Sequence, residues 1–561
     1  MATHRSLQTV LVALVVVAAS LAFAQGNYVT HDADGSFVVK SLYPGDTVTF
    51  APGELGTLIG NAWANGASAR KPFTGVTLNV VTLQAGDKGA ISGGIINWVP
   101  AFEQLTGAKV NVVQKPFDDL APVMFNDVRT GTGAYDGFIV PMAFMGSLVS
   151  GNFIVPLNDY MKSAEYPAVF DNTNQDPTRW GLDGTLEPSL QRLYRWGDTW
   201  YAAPWDSDGV VLYYRKDVLD NPSVQAAYKQ ATGEDLAVPT TLDQLVKEAC
   251  YFNGTDPLNS GSSLYGIVEP AQIGSQFFEY YRAIAAQYGV VPGEAAQGFS
   301  QTLQFDPQTM DPLINNPAAV KGLQTFVDLY KCGPKDPASI DLGTSFNMFA
   351  QGTAVFQINF GDTGTIIESP DGNSPVKGHL GVAAVPGSTQ VYNLASKSWV
   401  TRSQPNQVGN EAGASWSGMV SSLSQHADAT YALFAFLSSP SMHLWNARWG
   451  FDGVDLGRHT DFLPPNGAAD IQNYLSAGFN ADDIKQISDA YARNFTEPAY
   501  EYLRIPGTPD YDLALEQNLQ AAITGQMTAQ QALDQVATRW NTTTDQTGRQ
   551  QQISVFQESL K

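Results

Sequence analysis

The residues from Gly75 to Pro141 alternate between strand and helix patterns, and this alternation constrains the fold more than any other feature. GVTLNVVTLQAG is a β-branched run that ends in glycine, and IINWVPAFEQLTG then places apolar residues at helical spacing. AKVNVVQ, LAPVMFNDVRTG and YDGFIVP continue as strand, helix and strand. This order predicts parallel strands covered by helices, which is an α/β fold.

The length of the chain predicts more than one folded unit. With 561 residues, it exceeds what a single hydrophobic core usually supports. Its 43% hydrophobic and 15% charged residues are typical of globular proteins. Near the end, Thr528 and Gln531 stand three apart as a predicted capping box.

The first residues have the pattern of a secretory signal peptide. Arg5 precedes an apolar run from Val10 to Ala24, and Ala22-Phe23-Ala24 is a small-x-small cleavage site. We expect cleavage after Ala24, with an uncleaved membrane anchor as the alternative. No Cys follows the site, which disfavours a lipid anchor, and no later apolar run approaches the roughly 18 residues of a membrane span. The sequence therefore predicts a periplasmic or extracellular protein.

Charge and cysteine content exclude several classes of function. The formal charge is −23, so we expect no nucleic-acid partner and no binding to anionic membranes. Cys250 and Cys332 are the only cysteines, and they are either one disulfide or two buried thiols. Six scattered His add no zinc spacing, so we expect neither a metal site nor a cofactor.

Six segments, in this order, resemble one family from Thr77 to Trp540. They read YDGFIVPMAFMGSLVSGNFIVPLNDYM, RWGDTWYAAPWDSDGVVLYYRKDVL, FAQGTAVFQINFGD, GVAAVPG, ASWSGMVSSLSQHADATYALFAFLSSP and AAITGQMTAQQALDQVATRW. The family is that of the extracellular solute-binding proteins of ABC importers, in the carbohydrate-binding group that resembles maltose-binding proteins. Each segment alone is degenerate, and their shared order makes the resemblance specific.

The resemblance implies a two-lobed, type II periplasmic-binding-protein fold whose lobes are joined by crossing hinge segments. A ligand would lie in the cleft between the lobes. The predicted limits are a signal peptide at 1–24, an N-terminal extension of unassigned role at 25–74, lobe 1 at 75–205 and 417–480, lobe 2 at 206–416 and 481–545, and a polar tail at 546–561. We expect the extension to be β-rich or loosely attached, and the tail to fray.

The segment WYAAPWDSDGVVLYYR is the predicted crossing between the lobes, so its middle should line the cleft. Sugars offer apolar faces to aromatic rings and hydroxyls to carboxylates. Trp205, Asp206 and Asp208 are therefore the main candidate contacts, and the resemblance places an acidic sugar ligand at Asp208. In the alternative, Trp205 belongs to the core and the two aspartates cap a turn before Gly209.

Further candidate contacts follow predicted strands or match the family's ligand-contacting regions. Open α/β sheets bind ligands at the ends of their strands. These residues are Met142, Asn359, Phe360, Asp362, Trp416, Ser417 and Tyr511. Core or loop packing is the alternative for each of them.

These observations predict the substrate-binding component of an ABC importer, which captures a sugar or sugar-like polyol, such as a mono- or oligosaccharide, in the cleft and delivers it to the transmembrane permease subunits. We expect a monomer without enzymatic activity. One alternative is a non-sugar solute, such as a polyamine or a betaine-like cation caged by Trp205, Trp416 and Tyr511. A glycosidase is a weaker alternative, because Asp206 and Asp208 would lie about 7 Å apart on one strand face, with no reason for one pKa to rise.

Overall fold

A computed structural model of the chain describes residues 28–31, 36–42, 47–50, 71–85, 89–162, 188–290, 303–369, 373–410, 413–449, 453–496, 498–500 and 502–561. The predicted signal peptide at 1–24 and residues 51–70 of the extension lie outside these ranges. Within them, no helix combines the length and the apolar run needed to cross a bilayer.

The described residues form strands and helices in alternation. The strands are β1 Val29–His31, β2 Phe37–Lys40, β3 Thr47–Phe50, β4 Thr77–Leu83, β5 Lys109–Lys115, β6 Gly137–Pro141, β7 Arg195–Trp196, β8 Thr199–Trp200, β9 Ala203–Pro204, β10 Val211–Arg215, β11 Tyr265–Ile267, β12 Ala354–Asn359, β13 Leu380–Ala383, β14 Ser388–Asn393, β15 Ser398–Asn406, β16 Gly409–Asn410, β17 Trp416–Val420 and β18 Ala499–Tyr500. The helices are α1 Ser92–Thr106, α2 Phe117–Thr130, α3 Met145–Ser150, α4 Asn158–Lys162, α5 Pro188–Tyr194, α6 Lys216–Leu219, α7 Pro222–Thr232, α8 Leu242–Phe252, α9 Phe278–Gly289, α10 Pro317–Tyr330, α11 Leu342–Ala350, α12 Asp362–Glu368, α13 Ala427–Leu437, α14 Pro440–Trp449, α15 Ile471–Ser476, α16 Ala481–Asn494, α17 Thr508–Ile523, α18 Ala529–Thr547 and α19 Arg549–Ser559.

The first lobe is built on a five-stranded sheet with the order β5-β4-β6-β17-β9. Strand β4 pairs in parallel with β5 and β6, as the strand and helix alternation predicts. Strand β17 returns antiparallel to β6, and β9 lies antiparallel to β17. The sheet is therefore parallel on one side only.

The second lobe is built on a four-stranded sheet with the order β11-β12-β10-β13. Strand β10 is buried along its whole length and runs antiparallel to both β12 and β13. Helix α16 packs on β13 and β10 and covers one face of this sheet. A disulfide joins Cys250 of α8 to Cys332, which follows α10, so the second lobe also carries a covalent link.

Two chain segments connect the two sheets in the part of the chain that the structure describes. Strand β9 ends at Pro204 in the first sheet and β10 begins at Val211 in the second, so residues 205–210 cross between the lobes. The chain returns from β13 in the second sheet to β17, which begins at Trp416 in the first. The two-lobed α/β fold expected from the sequence is confirmed.

Asn410 joins the two crossing segments, and we call its contacts the crossing clasp. Its Oδ1 accepts from the backbone N–H of Val210 at 2.8 Å, and its Nδ2 donates to the Val210 carbonyl at 3.0 Å. Nδ2 also donates to Oδ1 of Asn494, at the end of α16, at 2.8 Å. The clasp therefore ties both crossings to the helix that covers the second sheet.

The described part of the N-terminal extension is an antiparallel sheet in the order β1-β2-β3. Phe50 of β3 stacks on Phe436 of α13 with 5.8 Å between ring centroids. The backbone N–H of Leu42 donates to the carbonyl of Asn97 in α1 at 3.0 Å. The extension is thus β-rich as expected, and its described strands are packed on the first lobe instead of loosely attached.

The C-terminal tail forms helix α19, so the expected fraying is wrong. Phe556 is buried, and its ring centroid lies 6.1 Å from that of Phe305. Gln552 Nε2 donates to the Pro506 carbonyl at 2.7 Å. These two side chains anchor a helix whose other residues are mainly polar, which explains why composition alone suggested a free end. The preceding helix α18 begins with the predicted capping box of Thr528 and Gln531, which is confirmed.

Candidate functional site

The crossing segment begins against strand β17. The backbone N–H groups of Trp205 and Asp206 both donate to the carbonyl of Trp416 at 3.0 Å. Trp205 is only 1% exposed, so its ring lies in the core, as the alternative for this residue holds. Asp206 and Asp208 are buried too, at 2% and 4% exposure.

Three of the other candidate residues lie at the same end of the first sheet. Trp416 pairs with Pro141 at the end of β6, and the backbone N–H of Met142 donates to Ser415 at 3.0 Å. Ser417 pairs with Pro204 at the end of β9. The structure therefore brings Met142, Trp416 and Ser417 to the start of the crossing, and all three are buried.

Asn359 and Phe360 lie on the second lobe, where β12 ends. Asn359 pairs with Val211, the first residue after the crossing, and its Oδ1 accepts from the Tyr280 hydroxyl. The carbonyl of Phe360 accepts from the Tyr213 hydroxyl at 2.9 Å. The rings of Phe360 and Tyr280 lie 5.2 Å apart, so Phe360 is packed within this lobe.

Three carboxylates meet at the crossing, and we call Asp206, Asp208 and Asp455 the acidic cluster. One oxygen from each lies within 4.8 Å of the others. The backbone N–H of Asp455 donates to Oδ1 of Asp206 at 2.8 Å. Among the described residues, the Asp208 carboxylate has no hydrogen-bond partner. The cluster is a buried concentration of acceptors.

Burial raises the pKa of Asp208, Asp455 and Asp362. The pKa of Asp208 is well above its ordinary value because of burial first, then because of Asp206, Asp362 and Asp455. Burial likewise raises the pKa of Asp455 well above its ordinary value and that of Asp362, at the start of α12, to about 7. Adjacent negative charges in a low-dielectric site disfavour ionisation. The cluster should accordingly bind a proton, a cation or a strong hydrogen-bond donor.

Asp455 is carried by residues 453–461, which we call the cover segment. Its Oδ2 accepts from the Gly361 N–H at 3.0 Å and from the Tyr491 hydroxyl at 2.5 Å. A Cβ at Gly361 would overlap the Tyr491 hydroxyl and the Asp455 carboxylate, and one at Gly457 would overlap Ser207. The glycines thus allow the cover segment and the crossing to approach closely. The sequence analysis did not identify Asp455. The one feature that could have indicated it is its position between two glycines in GVDLG.

A cavity of about 400 Å³, the mouth cavity, opens between the two lobes. It is lined by Pro116, Phe117, Asp118, Gln272, Ile273, Gly274, Ser275, Asp341, Leu342 and Gly343. The Phe117 ring is 37% exposed and lies 6.2 Å from the ring of Trp416. On the other side, Asn359 Nδ2 donates at 3.1 Å to Ser345, on the helix that begins at Leu342. The cavity therefore adjoins candidate residues of both lobes. No pattern in the sequence singled out Phe117.

Tyr511 lies in the core between helices. Its hydroxyl bonds with Thr544 at 2.9 Å, and its ring packs against Phe305 and Trp540. Its suggested role as a ligand platform is not supported by these contacts. The suggested cage of Trp205, Trp416 and Tyr511 for a quaternary ammonium is not supported either, because the rings of Trp205 and Tyr511 are packed in the core.

A second buried group of charges lies beside the return crossing. The Arg282 guanidinium contacts Asp512 at 2.5 Å and lies 3.9 Å from Glu279. Tyr502 donates to the other oxygen of Asp512 at 2.7 Å. Burial raises the pKa of Glu279 to about 8, against the opposing effect of Arg282. Asp512 holds the arginine, and Glu279 should be protonated at neutral pH.

Comparison with known families gives one match to most of the chain. The model of a family described as bacterial extracellular solute-binding protein matches residues 88–443. A curated relative, the erythritol/L-threitol-binding protein of Mycolicibacterium smegmatis, is 22% identical over 310 residues, which is 53% of this chain and 58% of the relative. The match thus spans little more than half of that relative's length.

Solved structures share the fold at low identity. A ribitol complex of an ABC transporter solute-binding protein from Agrobacterium radiobacter has a TM-score of 0.60 at 21% identity and covers 83% of this chain and 98% of its own. A D-mannitol complex from Agrobacterium vitis has a TM-score of 0.58 at 19% identity, with 84% and 99% covered. Maltose-bound MalE3 from T. maritima has a TM-score of 0.58 at 18% identity, with 83% and 99% covered.

Proposed function

The chain belongs to the bacterial extracellular solute-binding proteins, and from this membership we propose that it captures a sugar or sugar alcohol between its lobes and delivers it to the transmembrane subunits of an ABC permease. The observation that carries the proposal is the mouth cavity, which has walls from both lobes and whose Phe117 ring contacts Trp416, where the return crossing ends. Similar proteins with bound ribitol, D-mannitol and maltose support this class of ligand. We propose that the protein acts as an exported monomer and that binding involves no turnover.

The chemistry of the mouth cavity suits a polyhydroxylated ligand. The exposed Phe117 ring offers a flat apolar surface for the C–H face of a sugar, and Trp416 packs edge-to-face against this ring. Asp118, Gln272 and Ser275 place acceptors and donors for hydroxyl groups around it. A volume of about 400 Å³ falls within the range of small-molecule sites.

The crossing segments supply the mechanism. A ligand that contacts walls from both lobes favours their closed arrangement over the open one. The permease would then recognise the closed surface. The strands of the two sheets support the proposed lobe limits, since those of the first sheet fall almost wholly within 75–205 and 417–480, and those of the second within 206–416.

The test is a thermal-shift screen of monosaccharides, disaccharides and sugar alcohols, followed by calorimetry of each ligand found. Phe117→Ala should weaken binding at least tenfold, about 1.4 kcal/mol, because it removes the stacking surface. Tyr265→Ala is the matched control, since it removes an aromatic ring that is 38% exposed and does not line the cavity. Absence of binding across the whole panel would refute the proposal, and an unchanged affinity for Phe117→Ala would move the ligand away from this cavity.

A further inference from the structure

One wall of the mouth cavity is a loop that a buried carboxyl group of another helix contacts from behind. The loop joins β11 to α9, and we call its residues 271–276 the wall loop. Oε2 of Glu516, on α17, accepts from the backbone N–H of Gly274 at 2.8 Å. Glu516 does not line the cavity, so it acts on this wall from the helix side. The residues of the wall loop that do line the cavity are Gln272, Ile273, Gly274 and Ser275.

The wall loop depends on bonds to other elements for its position. One turn after Glu516, Gln520 Nε2 donates to the Ala271 carbonyl at 2.8 Å. The backbone N–H of Ala271 donates to the Ile340 carbonyl at 3.1 Å. Gln276 has a φ of 57°, a conformation that costs free energy in a residue with a side chain. The loop is therefore held by its partners and not by its own backbone preference.

The surroundings of Glu516 disfavour its ionised form. The residue is 3% exposed, and its Oε1 has no hydrogen-bond partner among the described residues. Burial raises the pKa of Glu516 to about 7; the Gly274 N–H opposes this shift, and the negative charge of Asp512 adds to it. The Arg282 guanidinium is paired with Asp512 at 2.5 Å. If the wall loop opens, water reaches the Glu516 carboxyl group and its pKa returns toward the ordinary value, so ionisation favours the open loop.

Other titratable groups lie near α17. The charge of Glu516 acts on Tyr330 of α10, a phenol whose pKa burial raises well above its ordinary value. Burial also raises the pKa of Glu269 well above its ordinary value and that of Glu279, on α9, to about 8. Residues 142–144 contact α17 and carry no titratable side chain. The titratable side chains of α18 are exposed, and they are Asp534, Arg539 and Asp545. Only a variant of Glu516 itself can therefore assign a change near pH 7 to this group.

We propose that Glu516 is a positioning residue for the mouth cavity, which keeps the wall loop in place while it is protonated and releases the loop when it is ionised. The inference rests on the proposed function, because it concerns the regulation of the same cavity. The contribution of Glu516 to closure is complete below about pH 4.5 and is lost as the pH rises through about 7. With these two pKa values for the open and closed forms, the opening equilibrium constant rises about tenfold from pH 6 to pH 8.

Hydrogen exchange of the full chain tests the inference, on the peptide that covers residues 270–277 and with rates corrected for the intrinsic effect of pH. Protection of this peptide in the wild type should fall about tenfold between pH 6 and pH 8, with a midpoint near 7. Glu516→Gln keeps an acceptor for the Gly274 N–H and cannot ionise, so its protection should change less than about twofold. Glu248→Gln is the matched control, because Glu248 is also buried with a pKa of about 7, and it lies on α8 away from the cavity lining. This control should keep the tenfold fall.

Three results would overturn the inference without affecting the proposed function. The first is equal protection of the wild type at both pH values. The second is a tenfold fall that Glu516→Gln retains. The third needs no variant, and so remains decisive if Glu516→Gln does not fold: a midpoint near pH 8 would assign the change to Glu279.

Ribitol, D-mannitol and maltose are the probes that connect the wall loop to ligand binding. A bound probe at saturation should slow exchange of the 270–277 peptide at pH 8 at least tenfold, because the ligand contacts the closed wall. If a probe binds and leaves the exchange unchanged, the proposed function stands and the inference is wrong. If no sugar of the wider panel binds, the proposed function fails, and the pH dependence of the free protein still decides whether Glu516 positions the loop.

Discussion

Replacing Asn410 with alanine should release the two crossing segments from each other. The substitution removes the acceptor of the Val210 N–H and the donor to the Val210 carbonyl, at 2.8 and 3.0 Å. It also removes two bonds to Asn494, one donated by Nδ2 at 2.8 Å and one accepted by Oδ1 at 3.4 Å. The Asn494 Oδ1 keeps its bond from the Asn410 backbone N–H at 3.1 Å. Two buried backbone groups of one residue are thereby left without partners.

The magnitude follows from those two groups. Each buried polar group without a partner costs about 1 to 3 kcal/mol. The removed side chain leaves room for a water molecule that satisfies part of this loss, so we expect about 2 to 4 kcal/mol in total. If the free energy of opening falls by that amount, the Val210 amide hydrogen should exchange about 30-fold to 1000-fold faster.

The assay is hydrogen exchange measured by mass spectrometry on the peptide that covers residues 206–214. Asn347→Ala is the matched control, because the Asn347 side chain is exposed and donates only within its own helix, to Gly343 at 2.8 Å. We expect the control to change exchange at Val210 by less than about threefold. A rate for Asn410→Ala within the same limit would show that the clasp does not hold the crossings together.

Two further predictions concern stability. The pKa of Glu279 is about 8 in the folded protein against an ordinary value of 4.5, so the folded state binds this proton more tightly. Its contribution to stability is therefore complete below about pH 4.5 and is lost as the pH rises through about 8. The melting temperature of the wild type should fall between pH 5 and pH 9 more steeply than that of Glu279→Gln, and parallel curves would contradict the assignment. The disulfide closes a loop of 82 residues, for which chain entropy gives about 4.5 kcal/mol. Cys332→Ser should thus lower the denaturation midpoint of the second lobe under oxidising conditions, and equal midpoints with and without the bond would refute the entropic reasoning.

Local patterns made the fold predictable where neighbouring segments pair with each other. Strands β4, β5 and β6 follow one another with helices between them, so alternation along the sequence corresponds to adjacency in the sheet. The antiparallel position of β17 depends on a partner strand far along the chain. The residues of β17 do not indicate whether it runs parallel or antiparallel to its neighbours, because β-branched and apolar patterns are the same in both orientations.

The candidate site was predictable only in part. The crossing was identified by its aromatic and acidic residues, and Asp206 and Asp208 do meet there. The sequence could not show that Trp205 faces the core, because a strand end presents no periodicity to separate one face from the other. Asp455 comes 249 positions after Asp206, between the segments that carry the resemblance. Contacts of that range depend on how whole helices pack. Helix α16, for example, carries Tyr491, whose hydroxyl donates to the Asp455 carboxylate and orients it.

The N-terminal sheet offers a fixed reference point for distance measurements. Its strands contact helices α1 and α14, and Phe50 stacks on α13, so a spectroscopic label there should move rigidly with the first lobe. Strand β14 packs on α9 and pairs with β15, which carries the 43%-exposed Trp399. With one label on the N-terminal sheet and one on the β14–β15 pair, lobe closure could be measured as the change in a single distance. Neither label would replace a residue of the cleft.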